Sequence, residues 1–226
     1  MDAKRGQLFS KLIKEITVAA REGEANPEAN PRLRSAMERG RSEGLPKDNI
    51  QRAIERASGK GEAGELAEFL YEASAAGGIA ILIEGITDNK NRTLAEIKHL
   101  LNLRGARLAE SGALLWNFDK IGLIEVSGAD NPAKTKEEIG LAVIEAGASD
   151  FRTMNDLWLI ETAFAEGQRV RRGLEAGGIM VKELIHDYKP RAPLSIPPAE
   201  REKLEPLLDA LSEHDDVQEV YTNLAE

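Results

Sequence analysis

Between Gly77 and Thr93 the chain reads GGIAILIEGITDNKNRT, and no other stretch restricts the fold as strongly. An apolar run (Ile79, Ile81 and Ile83, with Ala80 and Leu82 between them) is what a buried strand requires. It breaks off into Thr87-Asp88-Asn89-Lys90-Asn91-Arg92, a polar loop that opens directly onto a helical pattern. Thr93 and Glu96 have capping-box spacing. Leu94, Ile97 and Leu101 then share one helical face, and Gly105 stands where a C-terminal cap belongs. A buried strand joined to an amphipathic helix is the basic piece of a layered α/β fold. The loop carries two cations, Lys90 and Arg92, and loops held on rigid elements often bear function. Asn and Asp are equally at home in ordinary turns, so the residue types fit a plain connector as well.

The 60 residues at the start read differently. Three helices are expected there. The first carries an apolar stripe of Leu8, Leu12, Ile16 and Ala19, with Lys4, Lys11, Lys14 and Arg21 gathered on the other side. Asn30-Pro31 opens the second, Asn as cap and Pro in the first helical position. Arg32, Arg34, Arg39 and Arg41 follow. The third opens after Leu45-Pro46-Lys47, with Asp48 and Gln51 spaced as a capping box; Ile50, Ala53, Ile54 and Ala57 form its apolar face, and Arg52 and Arg56 stand one turn apart outside it. Such short helices bury their stripes only against one another. Gly59-Lys60-Gly61 begins a flexible linker.

Charge follows the same division. Residues 1–60 hold 13 Lys and Arg against 9 Asp and Glu, a net of +4, while residues 61–226 hold 17 against 30, a net of −13. That asymmetry suggests a polyanion-facing module on an acidic body. Solvation alone also produces charged helical faces. Arg is favoured where planar, bidentate phosphate contact matters, and the scarcity of aromatics near the basic segment (Phe9 and Tyr71) favours phosphate contacts over base stacking. No helix-turn-helix spacing stands out. The expected phosphate contacts are Lys4, Arg5, Lys11, Lys14, Arg32, Arg34, Arg39, Arg41 and Lys47, with Lys90 and Arg92 as a second contact.

Beyond the linker the pattern is mixed. Strand 79–86, helix 93–104, strands 113–118 and 121–126, a helix near 199–212 and strand 217–222 spell βαββαβ, the split βαβ of a ferredoxin-like sheet. Residues 129–195 then form an inserted unit, with a helix from Asn131-Pro132, a hairpin around Asn155-Asp156, a helix 165–176 and a strand near 179–185. Contiguous sequential domains are the alternative. The expected domains are 1–60, 65–128 plus 196–226, and 129–195. Trp116 and Trp158 fall inside strand patterns and are expected in the core or on a sheet face.

The chemistry is narrow. There is no cysteine, so disulfides, zinc–thiolate sites and thiol nucleophiles are excluded. His99, His186 and His214 are scattered without metal-ligand spacing, and the Asp215-Asp216 pair sits at a helix-to-strand turn, where such pairs are structural. No catalytic constellation, metal site or cofactor is expected. No apolar run reaches membrane-spanning length and Met1–Arg5 is not a signal peptide, which leaves the cytoplasm as the default.

The blocks DAKRGQLFSKLIKEITVAA, NPEANPRLRSAM, LPKDNIQRAI, GGIAILIEGITDNKNRT and DDVQEVYTN closely resemble the YebC family, in order from Asp2 to Asn223. Its members are named probable transcriptional regulators, and its mitochondrial branch is the translational activator of cytochrome c oxidase. The resemblance implies an α+β protein: an N-terminal three-helix domain followed by two ferredoxin-like α/β domains, one inserted in the other. Relatives carry a Lys/His-rich lead with a Trp before the Asp-Ala-Lys-Arg block, and a missing basic lead weakens polyanion binding. The implied partners are ribosomal or messenger RNA and the ribosome, or promoter DNA as the alternative. An acidic body is a poor sequence-independent DNA binder, which ranks translation first.

Overall fold

The computed structural model describes residues 2–58 and 66–225. Residues 1–118 with 190–226 make one compact unit and residues 119–189 another.

In the first unit, α1 (Asp2–Glu22), α2 (Pro31–Ser42) and α3 (Lys47–Ser58) pack around Leu12, Ile16, Leu33, Ala36, Ile50 and Ala53. Asn30 caps α2 by accepting from the Leu33 N–H, with Pro31 behind it, as the sequence predicts. The Asn30 amide also donates to the Ala19 and Glu24 carbonyls, tying the end of α1 to the start of α2. The third helix starts differently: Ile50 N–H bonds the Pro46 carbonyl, and Gln51 donates to Glu55 instead of closing a capping box with Asp48.

The sheet of this unit holds β1 (Ala67–Ser74), β2 (Ala80–Thr87), β3 (Arg107–Leu108) and β8 (Val217–Thr222), in the order β3-β1-β2-β8. β2 pairs antiparallel with both β1 and β8. Alternation along the strands sends Phe69, Ala73, Ile81, Ile83 and Val217 to a core shared with α4 (Lys90–Leu103) and α7 (Pro198–Ser212), which supply Ile97, Leu101, Leu204, Leu207 and Leu211. The opposite face carries Glu68, Leu82, Glu84 and Glu219, and α1 touches β2 there.

The second unit is where βαββαβ belongs. β4 (Phe118–Ser127), α5 (Lys136–Glu145), β5 (Asp150–Met154), β6 (Leu157–Ala163), α6 (Gly167–Ala176) and β7 (Glu183–Pro190) follow in that sequence, with sheet order β5-β6-β4-β7. That is the ferredoxin-like arrangement, two crossover helices on one face whose Val143, Val170 and Leu174 form a core with Ile124, Val126 and Ile160 of the strands. The expected strand 121–126 therefore starts the inserted unit instead of closing the first sheet, because it pairs with β6 from Ile121↔Ala163 to Ser127↔Leu157. The insertion spans 119–189 and not 129–195. Residues 113–117 are a turn leading into β4, and Trp116 there is 66% exposed; only Trp158 is core. The first sheet completes its four strands with β1 and β3, not with 113–118 and 121–126. Asn131 does not start α5. It is buried, bonding the Ser127 and Met180 carbonyls and the Met180 N–H, and the capping box belongs to Thr135 and Glu138. The hairpin at Asn155-Asp156 is as expected, with Asn155 at φ 57°.

Candidate nucleic-acid interface

The 87–92 segment is not a polar loop. β2 runs to Thr87, Asn89 caps α4 by accepting from the Arg92 N–H, and the link is only Asp88-Asn89. Thr93 therefore lies inside the helix, fully buried, and its hydroxyl donates to Asp216 Oδ2 at 2.6 Å. Thr87 at 3.1 Å and Arg92 at 2.8 Å reach the same oxygen, while Lys14 of α1 meets Oδ1 at 2.6 Å. Gly85 lets the chain come this close: a Cβ there would stand 2.1 Å from the Asp216 carbonyl, which accepts from Ile86 N–H. Burial alone pushes the Asp216 carboxyl up. The hydrogen bonds from Lys14, Thr93 and Arg92 outweigh burial and hold it well below the usual carboxylate range. Glu96, His214 and Asp216 lie close enough to suggest a cation site. Yet His214 Nδ1 accepts from the Asp216 N–H and its Nε2 faces Glu96, both at 3.1 Å, and two cations already hold Asp216. The cluster is a knot between α1, α4 and the turn before β8.

Seven of the eleven expected phosphate contacts, Lys4, Lys11, Lys14, Arg32, Arg34, Arg39 and Arg92, are engaged within the first unit. Lys11 donates to the Ser212 carbonyl at 2.7 Å and Lys4 pairs with Glu213 at 3.2 Å, so Lys4, Lys11 and Lys14 converge on residues 212–216. Burial pushes the Lys11 amine down, against the raising pull of Glu219 and Asp215. Arg32 spans Glu22 and Glu68, and Arg39 meets Glu219 at 2.9 Å and Glu15 at 3.7 Å. Arg34 holds the Pro27 and Glu28 carbonyls at 3.2 and 2.8 Å. Arg92 is drawn to Asp88 and Asp216. The eleven side chains thus form no common outward surface. Part of the charge asymmetry between the segments is an internal match: α2 faces Glu68 and Glu219 on one sheet face, and α1 faces Glu213 and Asp216 at the turn before β8.

Among the described residues, Arg5, Arg41, Lys47 and Lys90 are exposed and keep no ion-pair partner. Arg5 lies over the Phe9 ring at 5.2 Å and close to Gly44 in the α2–α3 turn, between Arg41 and Lys47. Arg52 and Arg56, outside the expected set, are exposed further along α3 and border a groove of about 240 Å³ between α1 and α3, lined by Ile13, Ala53 and Asn49. Their one-turn spacing was the available signal for them; the apolar floor was not visible from α3 alone.

The fold and site define an α+β protein of two sheets in which a three-helix module is clamped onto an acidic sheet face. Residues 1–60 match the N-terminal domain of TACO1/YebC proteins, and residues 66–224 match their second and third domains. The chain belongs to the TACO1/YebC family. A probable transcriptional regulatory protein of Thermotoga maritima is 45% identical over 98% of this chain and 87% of its own, and one of Caldanaerobacter subterraneus is 41% identical over 99% and 91%. The crystal structure of a conserved hypothetical protein from Aquifex aeolicus superposes with a TM-score of 0.89 at 39% identity, covering 99% of this chain and 91% of that one.

Proposed function

We propose that the protein is a non-enzymatic gene-expression factor that binds ribosomal or messenger RNA through its helical domain and modulates translation in the cytoplasm. One observation carries this reading. Arg5, Arg41, Lys47, Arg52 and Arg56, cations without a carboxylate partner among the described residues, cluster about α3 and the turn before it, in a chain of net charge −9. A single basic module on an acidic body suits docking to a structured RNA surface, whereas sequence-independent duplex binding needs phosphate neutralisation over a wide face. Lys90 supplies the proposed second contact; Lys4, Lys11, Lys14, Arg32 and Arg39 reach across to the sheet and the 212–216 turn, Arg34 holds the Pro27 and Glu28 carbonyls, and Arg92 pairs with Asp88 and Asp216. Cosedimentation of the full chain with ribosomes at low and raised salt tests the reading: recovery in the low-salt pellet, lost with Arg41→Glu and Lys47→Glu, supports it, and absence at both salts overturns it.

A second reading, DNA-binding transcriptional regulation, draws on the names of the relatives and on one feature of the fold. The four-residue turn 43–46, with Gly44 at φ 77°, joins α2 to α3 as in helix-turn-helix motifs. It requires promoter sites bound at least about a thousandfold more tightly than random duplex. Equal affinity for both removes it.

A further inference from the structure

We infer that the groove between α1 and α3 is the pocket for one unstacked nucleotide of a bound RNA strand, with Arg52 and Arg56 on the phosphate and Ile13 and Ala53 under the base or ribose. The inference rests on the RNA-binding reading and names its point of contact.

The argument comes from what the rim offers. Asn49, Arg52, Ala53 and Arg56 lie on one side of α3, and no carboxylate lines the groove. The Asn49 carbonyl oxygen accepts from Arg52 Nη2, and Arg52 Nε donates to the Asp48 carbonyl at 3.1 Å. Those bonds fix the Arg52 guanidinium and use the acceptor of Asn49, so what the rim turns outward consists of donors: two guanidinium groups and an amide NH₂. Two arginines at i and i+4 repel each other mildly in a bare helix, and an anion between them removes the repulsion. The floor, by contrast, is apolar. An occupant must therefore join an acceptor-rich anion to a flat or apolar body, which describes a nucleotide and not a free phosphate.

Size points to one unit of a polymer. The groove, at about 240 Å³ and open to solvent, falls below the roughly 300–1,000 Å³ of pockets that enclose a whole ligand. Flanking phosphates then have Arg5, Arg41 and Lys47 within the same module. A duplex cannot present an unstacked base without paying for its extrusion, so single strands are favoured.

Fluorescence anisotropy of the full chain with a labelled mixed-sequence single-stranded RNA tests this, comparing the native chain with Arg52→Ala/Arg56→Ala, Asn49→Asp and a control, Lys98→Ala, on the exposed side of α4. The double variant is expected to bind at least tenfold more weakly, with a log–log salt slope shallower by about 1.4, two phosphate contacts at roughly 0.7 each on a single strand. Asn49→Asp, which puts a carboxylate into the donor rim, is expected to weaken binding as well, and Lys98→Ala to leave it unchanged. Nucleoside monophosphates should compete better than inorganic phosphate, because only they use the floor. Native binding that the rim variants leave intact overturns the pocket while the RNA reading stands; no native binding overturns both. Competition by an acidic peptide stronger than by RNA makes the groove a protein-docking site and overturns the inference.

Discussion

Asp216 shows how one carboxylate can be worth more than several surface pairs. It is 4% exposed and receives Lys14, Arg92, Thr93 and Thr87. Removing one side of a buried, hydrogen-bonded pair costs about 3–5 kcal/mol, so Asp216→Asn is expected to lower the unfolding free energy by that order in urea titrations at pH 7. The folded-state pKa lies below that of an unfolded chain, so the stability Asp216 adds is complete above the ordinary carboxylate range and is lost as pH falls through the folded value. The native chain should lose stability steeply below about pH 4, and Asp216→Asn should flatten that limb. Arg32 and Glu68, 44% and 40% exposed, provide the contrast: a double-mutant cycle should give a coupling under about 1 kcal/mol. Little of this was legible. The spacing of Thr93 and Glu96 suggests a local cap, and a partner 123 positions away leaves no mark on local periodicity.

Among the elements, those whose ends are written in neighbouring residues were readable. Asn30-Pro31 set the start of α2 correctly because cap, proline and first turn are adjacent. Since the Asn30 amide also holds two carbonyls, Asn30→Ala is expected to cost more than the about 1 kcal/mol of an ordinary cap, read as a drop in denaturation midpoint. Asn131-Pro132 looks the same in sequence yet caps nothing, because Asn131 is buried against the Ser127–Met180 backbone. β1 was missed for a similar reason: its outward face holds Glu68 and Glu72, which read as surface positions. Arg32 answers Glu68 from α2, and Glu72 accepts from the Gly112, Leu114 and Leu115 N–H groups. Strand 121–126 was correctly placed in the chain but in the wrong sheet, since pairing partners are not encoded in alternation alone.

For the whole molecule, the division into +4 and −13 was visible from composition, while its use was not. Basic helices facing carboxylates of their own chain look, in a linear count, like basic helices facing a polyanion. Neutralising the receiving face should therefore loosen cations: Glu68→Gln with Glu219→Gln takes one carboxylate partner from each of Arg32 and Arg39, which keep Glu22 and Glu15, and is expected to tighten single-strand RNA binding and steepen its salt slope by less than the about 1.4 that two full phosphate contacts would give, measured by anisotropy across a salt series. A protein whose basic helices contribute nothing outward would show no change.

The ion pair between Lys14 and Asp216 bridges 202 positions, and that span sets a clock. At the roughly 5–20 residues per second of synthesis, α1 is exposed some 10–40 s before its carboxylate partner is made. During that interval β8 is also absent, so the first sheet lacks an edge and its basic lid lacks a seat. Completion of the first unit must wait for the final strand, while residues 119–189, whose strands are contiguous, are free to fold ahead of it.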